Sequence, residues 1–207
     1  QIDFLFLCET FLSDKSVPIH SINGYKKIEK HRKHSRGGGV AIFIKNKYDY
    51  KIRDDLSIFN EGLFESLFIE VFLGKKSIIL GEIYRVPNTN VSSFIENYNN
   101  ILEMVHSENK EILIGTDQNL DLIKINSTAH VQEFLDLNYA NGLKPVIDKP
   151  TRVTHQTASL IDNFYSSNKD TCRSAVLYSY ISDHFPILFM FGKKNISNNK
   201  EHTKFSY

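Results

Sequence analysis

The stretch EILIGTDQN, residues 111–119, decides how this chain folds. Residues 112–114 are apolar at every position instead of every second one, which marks a strand buried on both faces. The run stops at Gly115, and Asp117 and Asn119 follow at once. The segment FLFLC, residues 4–8, has the same continuous apolar character and stops at Glu9. Such strands need cover on both sides, so sheets packed on sheets with helices outside are expected.

Working outward, further strands are expected at 39–45, 48–53, 66–72, 77–84, 159–164, 175–179 and 185–191. Two stretches have helical periodicity. Over 92–106, Phe94, Tyr98, Ile101, Leu102 and Val105 share one face, with Ser92 or Ser93 as the cap. Over 129–139, Val131, Phe134, Leu135 and Leu137 are apolar, and Gly142 stands just past the end.

The bulk numbers set bounds. A chain of 207 residues with 41% hydrophobic and 24% charged residues can bury a sizeable core, which argues against general disorder. The net charge of +1 excludes a global basic field, so any nucleic-acid surface has to be local and balanced by acid elsewhere. Cys8 and Cys172 make neither a disulfide framework nor a zinc pattern, in keeping with a reducing compartment. No run reaches transmembrane length and no secretory leader is evident, so a membrane partner and secretion are not expected. From residue 192 the composition turns polar. The expected organisation is one domain over 1–191 and a tail or linker over 192–207, within a piece of a longer polypeptide.

The apolar runs end on chemically complementary groups. Leu160-Ile161 leads straight into Asp162, and Ser182-Asp183-His184 directly precedes Phe185. Taken singly, Asp and Asn at strand ends are ordinary turn formers. Together with Glu9, Asp117 and Asn119 they form a set suited to metal-assisted hydrolysis. Carboxylates are hard ligands for Mg²⁺. On an extended segment Asp117 and Asn119 project to the same side. His184 needs an acid to fix its tautomer, and Asp162 could supply it.

Six segments in order resemble the endonuclease/exonuclease/phosphatase superfamily, most closely the apurinic-like endonuclease domain of non-LTR (LINE-type) retrotransposon reverse transcriptase polyproteins. They are CET at 8–10, GGGVAIFIK at 37–45, ESLFIEV at 65–71, IYRVPN at 83–88, PTRVTHQTASLIDN at 150–163 and ISDHFPI at 181–187. The resemblance implies a DNase I-like, four-layered α/β sandwich, with two packed, mostly antiparallel β-sheets flanked by helices.

It also implies residue roles. Glu9 binds Mg²⁺ (or Mn²⁺), and Asp183 supports the metal site or the histidine. Tyr84 hydrogen-bonds the scissile phosphate, with Asn88 nearby. Asp117 orients or deprotonates the attacking water, and Asn119 holds that water or a phosphate oxygen. His184, oriented by Asp162, contacts the phosphate. The implied activity is nicking of DNA to leave a 3′-hydroxyl for target-primed reverse transcription. The implied partners are DNA and a reverse transcriptase domain of the same polyprotein, met in the nucleus after synthesis in the cytoplasm. The alternatives are the same chemistry on abasic DNA, RNA or a phosphoinositide, or a truncated nucleic-acid-binding module without activity.

Two departures bear on this. The family's Gly-Asp-Phe-Asn reads Gly115-Thr-Asp-Gln-Asn119 here, so a bulge at the strand end is expected. The family's first strand, with an Asn that assists at the metal, has no counterpart before Phe4. For DNA contact, the run Lys26-Lys27-x-x-Lys30-His31-Arg32-Lys33-His34-x-Arg36 is read as a basic loop, with Lys33 and Arg36 on backbone phosphates. Thr154 is expected to touch the DNA backbone. The turn over 154–159 is short, so target choice is expected to rest on DNA shape.

Overall fold

A computed structural model describes residues 2–15, 20–168, 173–179 and 181–190. Cys172, Phe191 and the expected tail lie outside these residues. The described strands are β1 (Phe4–Cys8), β2 (Tyr25–Lys30), β3 (Val40–Lys45), β4 (Asp49–Ile52), β5 (Phe59–Asn60), β6 (Phe64–Leu73), β7 (Lys76–Arg85) and β8 (Glu111–Asp117). They continue with β9 (Lys144–Pro145), β10 (Arg152–Val153), β11 (Ala158–Ser159), β12 (Asp162–Ser166), β13 (Arg173–Val176) and β14 (Ile187–Met190). The helices are α1 (Val91–His106), between β7 and β8, and α2 (Ala129–Ala140), between β8 and β9.

The large sheet has the order β4-β6-β7-β8-β12-β9, with β5 also on β6, and the small sheet has the order β1-β3-β2. Every pairing in both is antiparallel except β7–β8. That parallel pair requires a crossover, and α1 supplies it. The pleat sorts the core into two layers. Phe64, Phe68, Ile79, Ile83, Ile112, Ile114 and Tyr165 meet α1 and α2 on one face. Leu67, Ile69, Ile78, Leu80, Leu113 and Phe164 meet Val40, Ile42 and Ile44 of the small sheet on the other. The α/β sandwich of packed sheets flanked by helices is therefore the fold, and both described helices lie over the large sheet's outer face.

Phe134 anchors the helical layer, with its ring 5.1 Å from Tyr98, 5.6 Å from Phe94 and 5.5 Å from Tyr165. Burying each such side chain contributes roughly 1.5–3 kcal/mol. The Tyr98 hydroxyl donates to Asn138 Oδ1 at 2.6 Å, so the polar tip of a fully buried ring is satisfied. No described helix is long and apolar enough to cross a membrane.

Several local expectations need correction. The cap of α1 is Asn90, whose side chain accepts from Ser93 N at 2.9 Å, so the serines sit inside the first turn. The basic run is not all loop: Tyr25–Lys30 forms β2, in which Ile28 is buried while Lys26 and Lys30, on the same face to either side of it, lie over the Tyr50 ring and pair with Asp54. The expected strand at 159–164 is two pieces, since Leu160 N turns aside to Asp121 Oδ1 between β11 and β12. The expected strand at 175–179 lies earlier, as β13 pairs Arg173–Val176 with β14.

Candidate active site

Alternation along four neighbouring strands places the polar groups. Leu67, Leu80, Leu113 and Phe164 face the small sheet, so residues an even number of positions away share that face. These are Glu65, Tyr84, Asp117 and Asp162. The register aligns them in one row, with Glu65 opposite Tyr84, Tyr84 beside Asp117, and Asp117 opposite Asp162. This row closes the apolar interlayer at one end of the sandwich. The expected bulge at Asp117 is absent, because pairing runs unbroken from Gly115 to Asp117 on both sides. The extra residue, Thr116, is accommodated by the pleat and turns to the helical face, where its hydroxyl donates to Asn163 O at 3.3 Å.

The small sheet brings Glu9 to this row. β1 ends at Cys8, and Glu9 takes a left-handed φ of 49°. The Tyr84 hydroxyl donates to Glu9 Oε1. Burial, with the Glu9 carboxylate next, pushes the Tyr84 pKa well up, so the hydroxyl keeps its proton.

His184 closes the other side. Its Nδ1 lies 3.0 Å from both Asp162 oxygens, and Asp162 Oδ2 also accepts from Thr151 Oγ1 at 2.5 Å. The hydrogen bond to Asp162 raises the His184 pKa against the opposing effect of burial. The segment carrying it is tied to β10: Phe185 N donates to Thr151 O at 2.7 Å, and Arg152 grips the Asp183 carboxylate at 2.7 and 2.8 Å. The Arg152 contact holds the Asp183 pKa below the usual carboxylate range.

Asp117 is the least compensated member. Its Oδ1 is buried, with no hydrogen-bond partner among the described residues. Burial first, then the Asp162 carboxylate, pushes its pKa up to about 8. Ligand atoms of Asp117, Asp162 and His184 lie within 4.8 Å of one another. An orphaned carboxylate oxygen among further carboxylates fits a divalent cation, which would offset the charge that burial disfavours. In that cluster the Nδ1 of His184 is already engaged by Asp162, and Glu9, whose Oε1 accepts from Tyr84, adds a further carboxylate at the end of the row.

The remaining sequence-derived residues are placed as follows. Asn119 does not continue the strand: it sits at φ 48° in the turn after β8, and its Nδ2 donates to Arg85 O at 2.8 Å. The same-side argument from its spacing to Asp117 therefore fails, because the extended segment ends at Asp117. Asn88 is an exposed left-handed turn residue between β7 and α1. Thr154 caps the β10–β11 hairpin, accepting from Thr157 N at 3.1 Å. Lys33 and Arg36 are exposed on the loop before the glycine turn.

Three contributors escaped the sequence reading. Glu82 lies one pleat below Tyr84, with its carboxylate over Gly115, and Cys8 Sγ donates to its Oε1 at 2.8 Å. Burial pushes its pKa up to about 8. Gly115 is required there, since an added Cβ would collide with Glu82 Oε2. Glu65 is fully buried, pairs with Arg32 and accepts from Gly39 N at 2.6 Å. Arg85 donates to Gln118 O at 2.7 Å and to Asn119 O at 2.8 Å, fixing the turn beyond Asp117. An acid isolated in an apolar strand, at even spacing from Tyr84, was the signal that could have found Glu82.

Residues 78–188, more than half of the chain and the whole span from β7 to His184, match the family model described as endonuclease-reverse transcriptase. The chain belongs to the endonuclease-reverse transcriptase family. Solved structures agree on the architecture of this family member. The endonuclease domain of TRAS1, a telomere-specific non-LTR retrotransposon, superposes with a TM-score of 0.71 at 14% identity, over 93% of this chain and 87% of that one. D. rerio TDP2, complexed with single strand DNA product, gives 0.62 at 15% identity, over 89% and 84%. The Bacteroides thetaiotaomicron mannosyl-6-phosphatase Bt3783 gives 0.62 at 18% identity, over 91% and 85%. Identities this low show the fold alone, which is the DNase I-like α/β fold.

Proposed function

We propose that this chain is a divalent-metal-dependent DNA endonuclease that nicks one strand and leaves a 3′-hydroxyl primer. The observation that carries the reading is the register row Tyr84–Asp117–Asp162, closed by Glu9 on one side and His184 on the other. The family description and the likeness to a retrotransposon endonuclease domain support DNA as substrate and a reverse transcriptase as the neighbouring domain; action in the nucleus would follow from that substrate.

Glu9 and Asp117 would hold Mg²⁺ or Mn²⁺, which when bound supplies Lewis-acid neutralisation of charge on the phosphate. Asp117, in its ionised form, orients the attacking water and takes its proton. Asn119, fixed by Arg85, orients that water or a phosphate oxygen. His184, held by Asp162 and protonated, donates from its free ring nitrogen to a non-bridging oxygen. Tyr84 would turn its hydroxyl proton from Glu9 to the same group once that carboxylate holds the cation. Water oxygen bonds to phosphorus, the phosphorus–3′-oxygen bond breaks, and the leaving oxygen takes a proton from solvent. Asp183, gripped by Arg152, holds the His184 segment in place. Asn88, Thr154, Lys33 and Arg36 would meet the DNA backbone around the site.

Supercoiled-plasmid nicking with Mg²⁺ tests this, using Asp117→Ala and His184→Ala as controls. Conversion to open circles by the parent and neither variant is expected. Variants that nick like the parent would overturn the site. A parent that binds DNA without nicking it would favour the inactive module, and an intact plasmid with phosphoinositide turnover would point to a lipid phosphatase.

A further inference from the structure

Phe11 stands two residues beyond Glu9 and is 59% exposed. A lone exposed hydrophobe is ordinary. This one is held outward against its own preferences, with a left-handed φ of 52° after the left-handed Glu9. The conformation is not fraying. Thr10 N donates to Gly39 O at 3.2 Å, and Phe11 N donates to Gly38 O at 2.9 Å, which extends the link to the glycine turn. Strain maintained by such anchors gathers at functional sites.

The ring borders the basic loop. A Cβ at Gly37 would lie 3.6 Å from the Phe11 ring and 3.9 Å from Arg32 Nη1, so ring and guanidinium flank one glycine. The loop itself is fixed from beneath. Glu61 accepts from Lys33 N at 2.7 Å, His34 N at 3.2 Å and Ser35 Oγ at 3.3 Å, while Glu65 pairs with Arg32. The exposed side chains of Lys33 and Arg36 thus stand on an ordered support beside the ring. A rigid π-face lies between the Glu9–Tyr84 pair and a cationic loop.

We propose that Phe11 is a stacking platform for a nucleobase flanking the phosphodiester met by Tyr84 and His184, and that it selects nucleic acid over phosphorylated sugars and lipids. The proposal rests on the nuclease reading of the site. A flat ring accepts any base, because every base has a π-face, and the neighbouring cations meet the phosphates on either side. Loss of one such stack weakens nucleic-acid binding by about 5- to 150-fold.

The test is anisotropy titration of a fluorescein-labelled single-stranded DNA oligonucleotide, without divalent metal, against the parent chain and its Phe11→Ala, Phe11→Leu and Phe11→Trp variants. Thermal melting of each variant checks that it folds. Alanine and leucine are expected to weaken binding by about 5- to 150-fold, with tryptophan within about twofold of the parent. The slope of log affinity against log salt is expected to stay the same, because no phosphate contact is lost. Leucine that binds like the parent would make the role plain apolar packing and overturn the proposal, as would alanine at parent affinity or a parent that does not bind. A parent that binds through Phe11 but never nicks plasmid with Mg²⁺ would sink the nuclease reading and leave the platform standing.

Discussion

Asp117 and Asp162 are paired across the β8–β12 ladder, and both turn toward the small sheet. Two carboxylates so placed repel each other in a setting with little water to screen them. Asp162 is compensated by His184 and Thr151, whereas Asp117 Oδ1 has no partner among the described residues.

A divalent cation should therefore stabilise the protein as well as serve its chemistry. At a hundredfold excess over its dissociation constant, a ligand of the native state adds about 2.7 kcal/mol. Thermal melting with rising Mg²⁺, against NaCl of equal ionic strength, should show an increase in Tm that Asp117→Asn largely removes. An equal rise in both proteins would place the ion elsewhere.

Stability without metal should fall as pH rises. Glu82 and Asp117 both hold their protons up to about 8 in the folded chain, by burial above all. Their ordinary values are 4.5 and 3.8, so between about pH 4 and about 8 the native state binds more protons than the unfolded chain. Their contribution is complete below this window and lost through it. His184, also raised, acts in the same direction from 6.5 upward. Melting curves in EDTA should show a declining Tm across the window, and Glu82→Gln, which stays neutral, should flatten it. A Tm that climbs toward pH 8 would contradict the burial of these acids.

Gly115→Ala should destabilise the sandwich by about 1–3 kcal/mol, the usual range for overpacking a core. The new methyl would strike the Glu82 carboxylate and lie 3.1 Å from the Phe164 ring. Urea unfolding of the variant measures the loss. Pairing it with Glu82→Ala should recover part of it, and strict additivity of the two would show that the clash is not the cause.

Arg85→Lys keeps the charge and loses the fork that reaches Gln118 O and Asn119 O together. The turn carrying Asn119 should shift, and a displacement of about 1 Å at such a site costs on the order of 100-fold in kcat. Nicking kinetics should show kcat falling far more than KM rises. A rise in KM alone would mean that the turn binds substrate without positioning the water.

How far the sequence disclosed this depends on whether a residue advertises itself through its neighbours. Asp117, Asp162 and His184 were legible because each interrupts or borders an apolar run, and burial of those runs delivers them to one end. The β1, β7 and β8 strands and both helices were legible for the same reason. β2 was not, because four of its six residues are charged and, of the six, Ile28 alone is a buried apolar residue. The 159–164 segment misled because Leu160 and Ile161 are buried without being paired as a strand. Glu82, Glu65 and Arg85 were hidden inside strands, where their meaning depends on which residues the register sets beside them. Asn119 was found for its type, yet its position comes from a left-handed turn that spacing alone does not reveal.

The row from Glu65 to Asp162 is spaced by main-chain hydrogen bonds, not by loops. Insertions in the β10–β11 hairpin, the loop over 31–38 or the turn after β7 leave that spacing untouched, because none lies within the ladder that sets it. The ladder can thus act as a fixed chassis on which the surrounding loops are exchanged, so that the rim can change while the row of site residues keeps its spacing. Engineering of target choice should accordingly begin at the rim and leave the four strands alone.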